Sequence, residues 1–171
     1  MAKVNATLNQ LRKQSDAAWK RLAAQTDGLE PYLDRSDAPG EWTAREVLSH
    51  VLFDDGWQPR AALPTFSVKD FPTFDINPGE TSMTPARKAY TLRQFVEAVE
   101  RQKREVFDYL GSLPEADLHA RKLRIPLFKQ FMGTDEITLA MFTGAMFDFH
   151  WQDHAGQLAK IRRAVGLPDA A

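Results

Sequence analysis

Two histidines sit in the middle of an apolar stripe, and that stripe restricts this chain to a helical core more firmly than any other feature. Phe147, His150, His154, Leu158, Ile161 and Val165 recur at steps of three, four, four, three and four. That is the 3.6-residue period of an amphipathic helix. His150 and His154 fall on one face, one above the other. They are expected to point inward, and two imidazoles so placed can bind one transition-metal ion. The same spacing also occurs on helices where each ring only hydrogen-bonds to a neighbour, so the rest of the chain has to decide.

The spacing predicts three further helices. Val4, Leu8, Leu11, Ala18 and Leu22 mark the first, over residues 4–26, with Pro31, Pro39 and Gly40 in the segment beyond it. Thr43-Ala44-Arg45-Glu46 is a capping box that opens the second, with Trp42 placed to staple onto Val47. Val47, His50, Asp54 and Trp57 share its face, and Pro59 kinks or ends it. Thr91-Leu92-Arg93-Gln94 is another capping box and opens the third, which runs to about Leu113. Lys103 interrupts its stripe and reads as a snorkelling side chain. The fourth carries the histidine stripe. It is expected from Thr134-Asp135-Glu136 to about Val165, with acid in its first turn and Lys160, Arg162 and Arg163 in its last turns, as the helix dipole favours. Gly166 and Pro168 stop it.

Two long connections remain, residues 61–90 and 114–133, both broken by prolines. Phe66, Phe71 and Phe74 are expected to pack the first one down, and the alternation of Leu123, Ile125 and Leu127 suggests a short extended piece or hairpin in the second. The fold class is therefore all-α: a four-helix bundle with two long crossover connections, as a single domain over residues 1–171.

Composition narrows the function. Twenty-two basic and 23 acidic residues leave a net charge of -1 with no basic block, so nucleic acid is not an expected partner. A mean hydropathy of -0.42 and the lack of a long apolar run argue against a membrane span. Met1-Ala2-Lys3-Val4-Asn5 has no apolar signal region, so a cytoplasmic location is expected. The chain has no cysteine, which removes disulfides, thiolate zinc sites and a catalytic protein thiol. Any thiol chemistry would use a thiol borne by the substrate. Met141, Phe142, Met146, Phe149 and Trp151 add apolar surface beyond the histidine stripe, from which a homodimer is expected.

Three of the four histidines, His50, His150 and His154, lie on core stripes of two helices, while His119 reads as a solvated loop residue. Three facing imidazoles without a ligand would leave at least one buried ring nitrogen unpaired, at a cost of about 1–3 kcal/mol. A divalent ion removes that cost, and three protein ligands leave coordination positions open for catalysis. Imidazole suits zinc, nickel, iron and copper alike. Asp54 is a candidate fourth ligand, or an orienter of His50, or a plain surface acid. Gln157 is placed to bond either a ligand or an imidazole. Asp153 should point partly away from its two histidine neighbours. Ser49 and Ser112 sit in no nucleophile elbow. Trp57, the 61–90 crossing and Trp151 are the expected walls of a pocket.

Taken together, Trp42-Thr43-x-x-Glu46-x-Leu48-x-His50 and His150-x-x-x-His154-x-Gly156-Gln157-Leu158, followed by Ile161 and Gly166-Leu167-Pro168, resemble the DinB/YfiT-like family of metal-binding proteins. The resemblance spans nearly the whole chain. It implies a bundle with two long crossovers, a three-histidine site binding one divalent ion at one end of the core, and often a homodimer. The ion would be zinc or nickel, with iron, manganese and copper also compatible. The family's activities include S-transfer from low-molecular-weight thiols, thiol-dependent isomerisation and hydrolysis. Three classes therefore compete: a metal-dependent transferase using a small-molecule thiol, which the sequence reading places first; a metal-dependent hydrolase; and a non-catalytic, stress-related metal- or ligand-binding protein.

Overall fold

Asn5 opens the first helix of the computed structural model, which describes residues 5–170. Its side chain accepts a hydrogen bond from the Leu8 amide at 2.8 Å, and the helix runs Ala6–Thr26. Val4, the expected first member of the stripe, lies outside the described residues. The second helix, Ala44–Val51, and the third, Leu92–Gly111, both start at the capping boxes read from the sequence. In each, a threonine hydroxyl accepts from the third amide while the Glu46 or Gln94 side chain reaches back, satisfying two otherwise unpaired donors.

The second helix is shorter than its stripe suggested. It stops at Val51, and Phe53 turns the chain through a left-handed conformation at φ 60°. Asp54 and Trp57 therefore lie beyond the helix. Asp54 is not one turn above His50; its Oδ1 accepts from the Gly56 amide at 2.8 Å instead. Trp57 packs into the core against Phe53 and Phe142.

The fourth helix begins later than expected. Glu136–Thr138 is a strand, paired antiparallel with Lys122–Arg124, and Ile137 is buried opposite Leu123. The extended piece expected near Leu123 is thus present, and its partner is the stretch taken for the first turn of the helix. Thr138 is the N-cap, accepting from the Met141 amide at 3.1 Å. From there the helix is α-helical over Leu139–Gly144, π-helical over Ala145–Phe149 and α-helical again over His150–Ala164. Its last turn is held by Arg162. This residue is buried, and its guanidinium donates to the carbonyls of Pro168, Gln25 and Asp27, tying the ends of the first and fourth helices together.

The first helix packs on the third and fourth, and the second packs on the same two. The core between them is closed by Leu22, Leu48, Phe95, Val106, Phe147 and Trp151. Trp151 lies 5.5 Å from Trp19, ring to ring, and is fully buried. Phe142, Met146 and Phe147 are buried too, so most of the apolar surface that motivated the dimer is covered within the chain, and Phe149 alone of that group stands out at 73% exposure. Lys103 pairs with Asp16 of the first helix rather than ending free in solvent. His119 is exposed as expected but sits in a short helix, Glu115–Ala120, with Nε2 3.0 Å from the Thr7 hydroxyl. Among the described residues no helix is long and apolar enough to cross a membrane. The result is the all-α four-helix bundle expected from the sequence, with one two-stranded ribbon in its last crossing.

Candidate metal centre

His50 closes the second helix, and His150 and His154 rise one turn apart from the fourth, immediately after the π-helical turn. The three ring nitrogens converge. His150 Nε2 lies 3.0 Å from His50 Nε2 and 3.0 Å from His154 Nε2. One ligand atom from each ring lies within 4.8 Å of the other two.

The outer partners of the rings set which nitrogen carries the proton. His50 Nδ1 donates to the Glu80 carbonyl at 2.6 Å, because a carbonyl can only accept. His154 Nδ1 donates to Gln157 Oε1 at 2.9 Å. Both rings therefore present a bare Nε2 lone pair to the centre. His150 Nδ1 is buried without a hydrogen bond of ordinary geometry. A single Nε2 proton on His150 can be donated to one of its two neighbours and would leave the other Nε2 lone pair without a donor. Three lone pairs aimed at one point is the donor set a divalent cation needs. At metal–nitrogen distances of about 2.0–2.1 Å, tetrahedral ligand nitrogens stand about 3.3 Å apart. Opening the observed triangle by a few tenths of an ångström, as that value implies, is a side-chain adjustment, so these residues fit a metal ion.

Burial keeps the rings neutral. It pushes His150 down from 6.5 to about 3, helped by the neighbouring His154 and His50 and weakly opposed by the Met146 carbonyl. Burial also lowers His50, against the pull of the Glu80 carbonyl, and lowers His154, against Gln157 and the charge of Asp153. Two aromatic planes fix the rings. Phe53 stacks beside His150 at 6.1 Å and 8°, and Trp42 beside His154 at 6.3 Å and 9°. Trp42 also approaches His50, 4.9 Å between centroids, so it serves the site at least as much as the staple read from the sequence.

Arg87, in the first crossing, was not singled out by sequence reasoning. It is buried, and its Nη1 donates to the carbonyls of Phe53 at 2.6 Å, Ser82 at 2.8 Å and Ser49 at 3.2 Å. Phe53 and Ser82 are the only non-glycine described residues with positive φ, 60° and 54°. One guanidinium thus clamps two strained residues and the end of the helix that bears His50.

The centre opens onto a cleft of about 1100 Å³. The first crossing contributes Phe74 to Pro78, as expected. The second contributes Leu127, Phe128, Phe131 and Met132, which was not expected. Trp57 and Trp151, expected as walls, are buried in the core instead. Asp54 and Asp153 are exposed and face the cleft. Gln157 takes the second of its two readings and bonds an imidazole.

No protein-family model matches the sequence, and no curated protein matches it. Among solved structures the chain is similar to YfiT from Bacillus subtilis, described as a probable metal-dependent hydrolase with an unusual four-helix bundle topology. The TM-score is 0.65 at 18% identity, over 94% of this chain and 90% of that one, which is a likeness of fold. The chain has the four-helix-bundle fold of YfiT, in keeping with the DinB/YfiT-like resemblance of its two histidine segments.

Proposed function

We propose that His50, His150 and His154 bind one divalent metal ion, and that the protein is a metal-dependent hydrolase acting on a small molecule. The observation that carries this reading is the convergence of three Nε2 atoms, two of them on rings held by outer hydrogen bonds, at an open cleft. The fold shared with a probable metal-dependent hydrolase supports it. A divalent ion held this way supplies a Lewis acid and an activated water at neutral pH. The protein's part is to keep three neutral imidazoles in place, to leave the cleft side open for substrate, and to accept a proton there. Asp153 is the better candidate for that last task, since its charge is felt by His154, whereas Asp54 Oδ1 is engaged by the Gly56 amide.

The thiol-transferase reading shares the metal and the open side, and the lack of cysteine is compatible with it. The lining does not favour it: its charged residues are Asp54, Asp75, Glu80 and Asp153, a poor match for low-molecular-weight thiols that carry carboxylates. Zinc or nickel is the ion proposed, on the family resemblance of the two histidine segments, since imidazole donors suit iron and copper as well. A homodimer would have to use the exposed Phe131, Met132 and Phe149 rather than the packed face of the fourth helix. The deciding experiment is elemental analysis of protein purified without tag or chelator, followed by assays of the metal-loaded form against esters and amides, and against thiols with an electrophile. One metal per chain, lost in His154→Ala together with ester or amide hydrolysis, is the expected result. Metal-free protein whose melting does not respond to zinc or nickel would reject the site.

A further inference from the structure

Large apolar side chains exposed singly are ordinary, but a contiguous group of them marks a binding surface, and here three gather in one place. Among the described residues four such side chains are exposed: Val68, Phe131, Met132 and Phe149. The last three line the cleft above the histidines, at 75%, 41% and 73% exposure. They come from separate elements, the short helix Lys129–Met132 and the π-helical turn Ala145–Phe149. Deeper in, Phe74 and Ile76 continue the apolar wall from the other crossing. The cleft, at about 1100 Å³, is just above the range of about 300–1000 Å³ typical of small-molecule pockets.

The charge of the same cleft is one-sided. Asp54, Asp75, Glu80 and Asp153 all line it, and among the described residues no lysine or arginine does. Lys129, on the same short helix as Phe131 and Met132, is exposed but is not among the lining residues, and Arg87 is buried and committed to three backbone carbonyls. A substrate held by its reacting group at the histidines would lay its remainder along Phe131, Met132 and Phe149, within the field of four carboxylates. Apolar contact rewards a hydrophobic body. The carboxylates attract a positive end and repel a negative one.

We propose that the cleft selects small hydrophobic substrates with a cationic end, such as an ester or amide carrying an amine, and discriminates against those ending in a carboxylate. Hydrolysis of such a molecule consumes one water, breaks the acyl C–O or C–N bond, and places the water's hydroxyl on the acyl carbon and its proton on the leaving alcohol or amine. The inference rests on the metal-site reading above.

Three probes of matched length separate the two. Hexanohydroxamic acid, 6-aminohexanohydroxamic acid and adipic acid monohydroxamate share one metal-binding head and differ only at the tail: methyl, ammonium or carboxylate. Their affinities for zinc-loaded protein are measured by calorimetry at low and high salt. The ammonium probe is expected to bind at least about tenfold more tightly than the carboxylate probe, with the ratio shrinking as salt screens it. Asp75→Asn should reduce that ratio. Phe131→Ser should weaken all three probes together. Equal affinities, or tightest binding of the carboxylate probe, would overturn the proposal while leaving the metal site standing. So would a Phe131→Ser variant that binds all three normally and instead shifts the mass seen by light scattering, which would make the patch a self-association surface. Protein that holds zinc yet binds none of the probes also defeats this proposal alone. Protein that retains no zinc defeats both.

Discussion

Arg87 donates from Nη1 to the carbonyl of Phe53 at 2.6 Å, joining residues 34 apart in sequence and closing the end of the helix that carries His50. Removing that donor leaves the Phe53 carbonyl without its partner, while the Ser82 carbonyl keeps the Ser49 hydroxyl and the Ser49 carbonyl keeps the Leu52 amide. Arg87→Met is therefore expected to destabilise the protein by about 1–3 kcal/mol, the cost of one buried unpaired acceptor, read as a lower midpoint in urea. Arg87→Lys, a point charge with a different reach, should recover only part of the loss.

Gln157 acts on the centre through His154 Nδ1. Gln157→Ala should weaken metal affinity by about 10–100-fold without abolishing binding, as loss of an outer partner does elsewhere. Competition with a chromophoric chelator measures this directly. Gln157→Glu keeps an acceptor at that atom and should retain tight binding.

Acid should release the site before it unfolds the bundle. The folded pKa values of His50, His150 and His154 all lie below the ordinary 6.5, and that of His150 lies at about 3. In that window the unfolded chain takes up protons that the folded one refuses, so stability falls as pH drops below 6.5 and continues to fall toward 3. Melting temperature of the metal-free protein, followed from pH 7.5 to pH 4, is expected to decline from about pH 6.5 downward. His150→Phe should flatten that slope, having no imidazole to charge. Metal-loaded protein should lose its ion across the same range, since protons compete for the three lone pairs.

Thr138, not the Thr134-Asp135-Glu136 stretch just before it, caps the fourth helix. Thr138→Ala should cost about 1 kcal/mol. Asp135→Ala removes a partly exposed ion pair with Arg124 at 3.7 Å, and should cost no more than about 0.5 kcal/mol. Chemical denaturation of the two variants side by side distinguishes these starts.

What could be read from the sequence was local or periodic. The capping boxes at Thr43 and Thr91 each lie within four residues, and the histidine stripe repeats along one helix, so neither needed knowledge of the rest of the chain. The resemblance joined His50 to His150 and His154 across a hundred residues, and the geometry places them together. The errors fall where distant contacts decide. The second helix ends early because Arg87 and a left-handed Phe53 hold its last carbonyls. Glu136–Thr138 became a strand because Lys122–Arg124 was there to pair with it. Trp57 and Trp151 looked like cleft walls because size and spacing alone do not say whether an aromatic ring faces a cavity or the core. The true apolar lining, Phe131 and Met132, came from a connection with no helical period to mark it.

The π-helical turn at Ala145–Phe149 divides the fourth helix into two segments that are out of phase. An extra residue absorbed in one turn rotates everything after it by roughly 100° relative to an unbroken α-helix. Upstream, Leu139 and Phe142 meet the core; downstream, Trp151, His154, Leu158 and Ile161 do, a set that an unbroken α-helix would turn by roughly 100° from the first. The histidines reach His50 only in the shifted frame. Deleting one residue within 145–149 would restore a regular helix and swing both imidazoles around its circumference, so the donor set is encoded by a count of residues as much as by their identity.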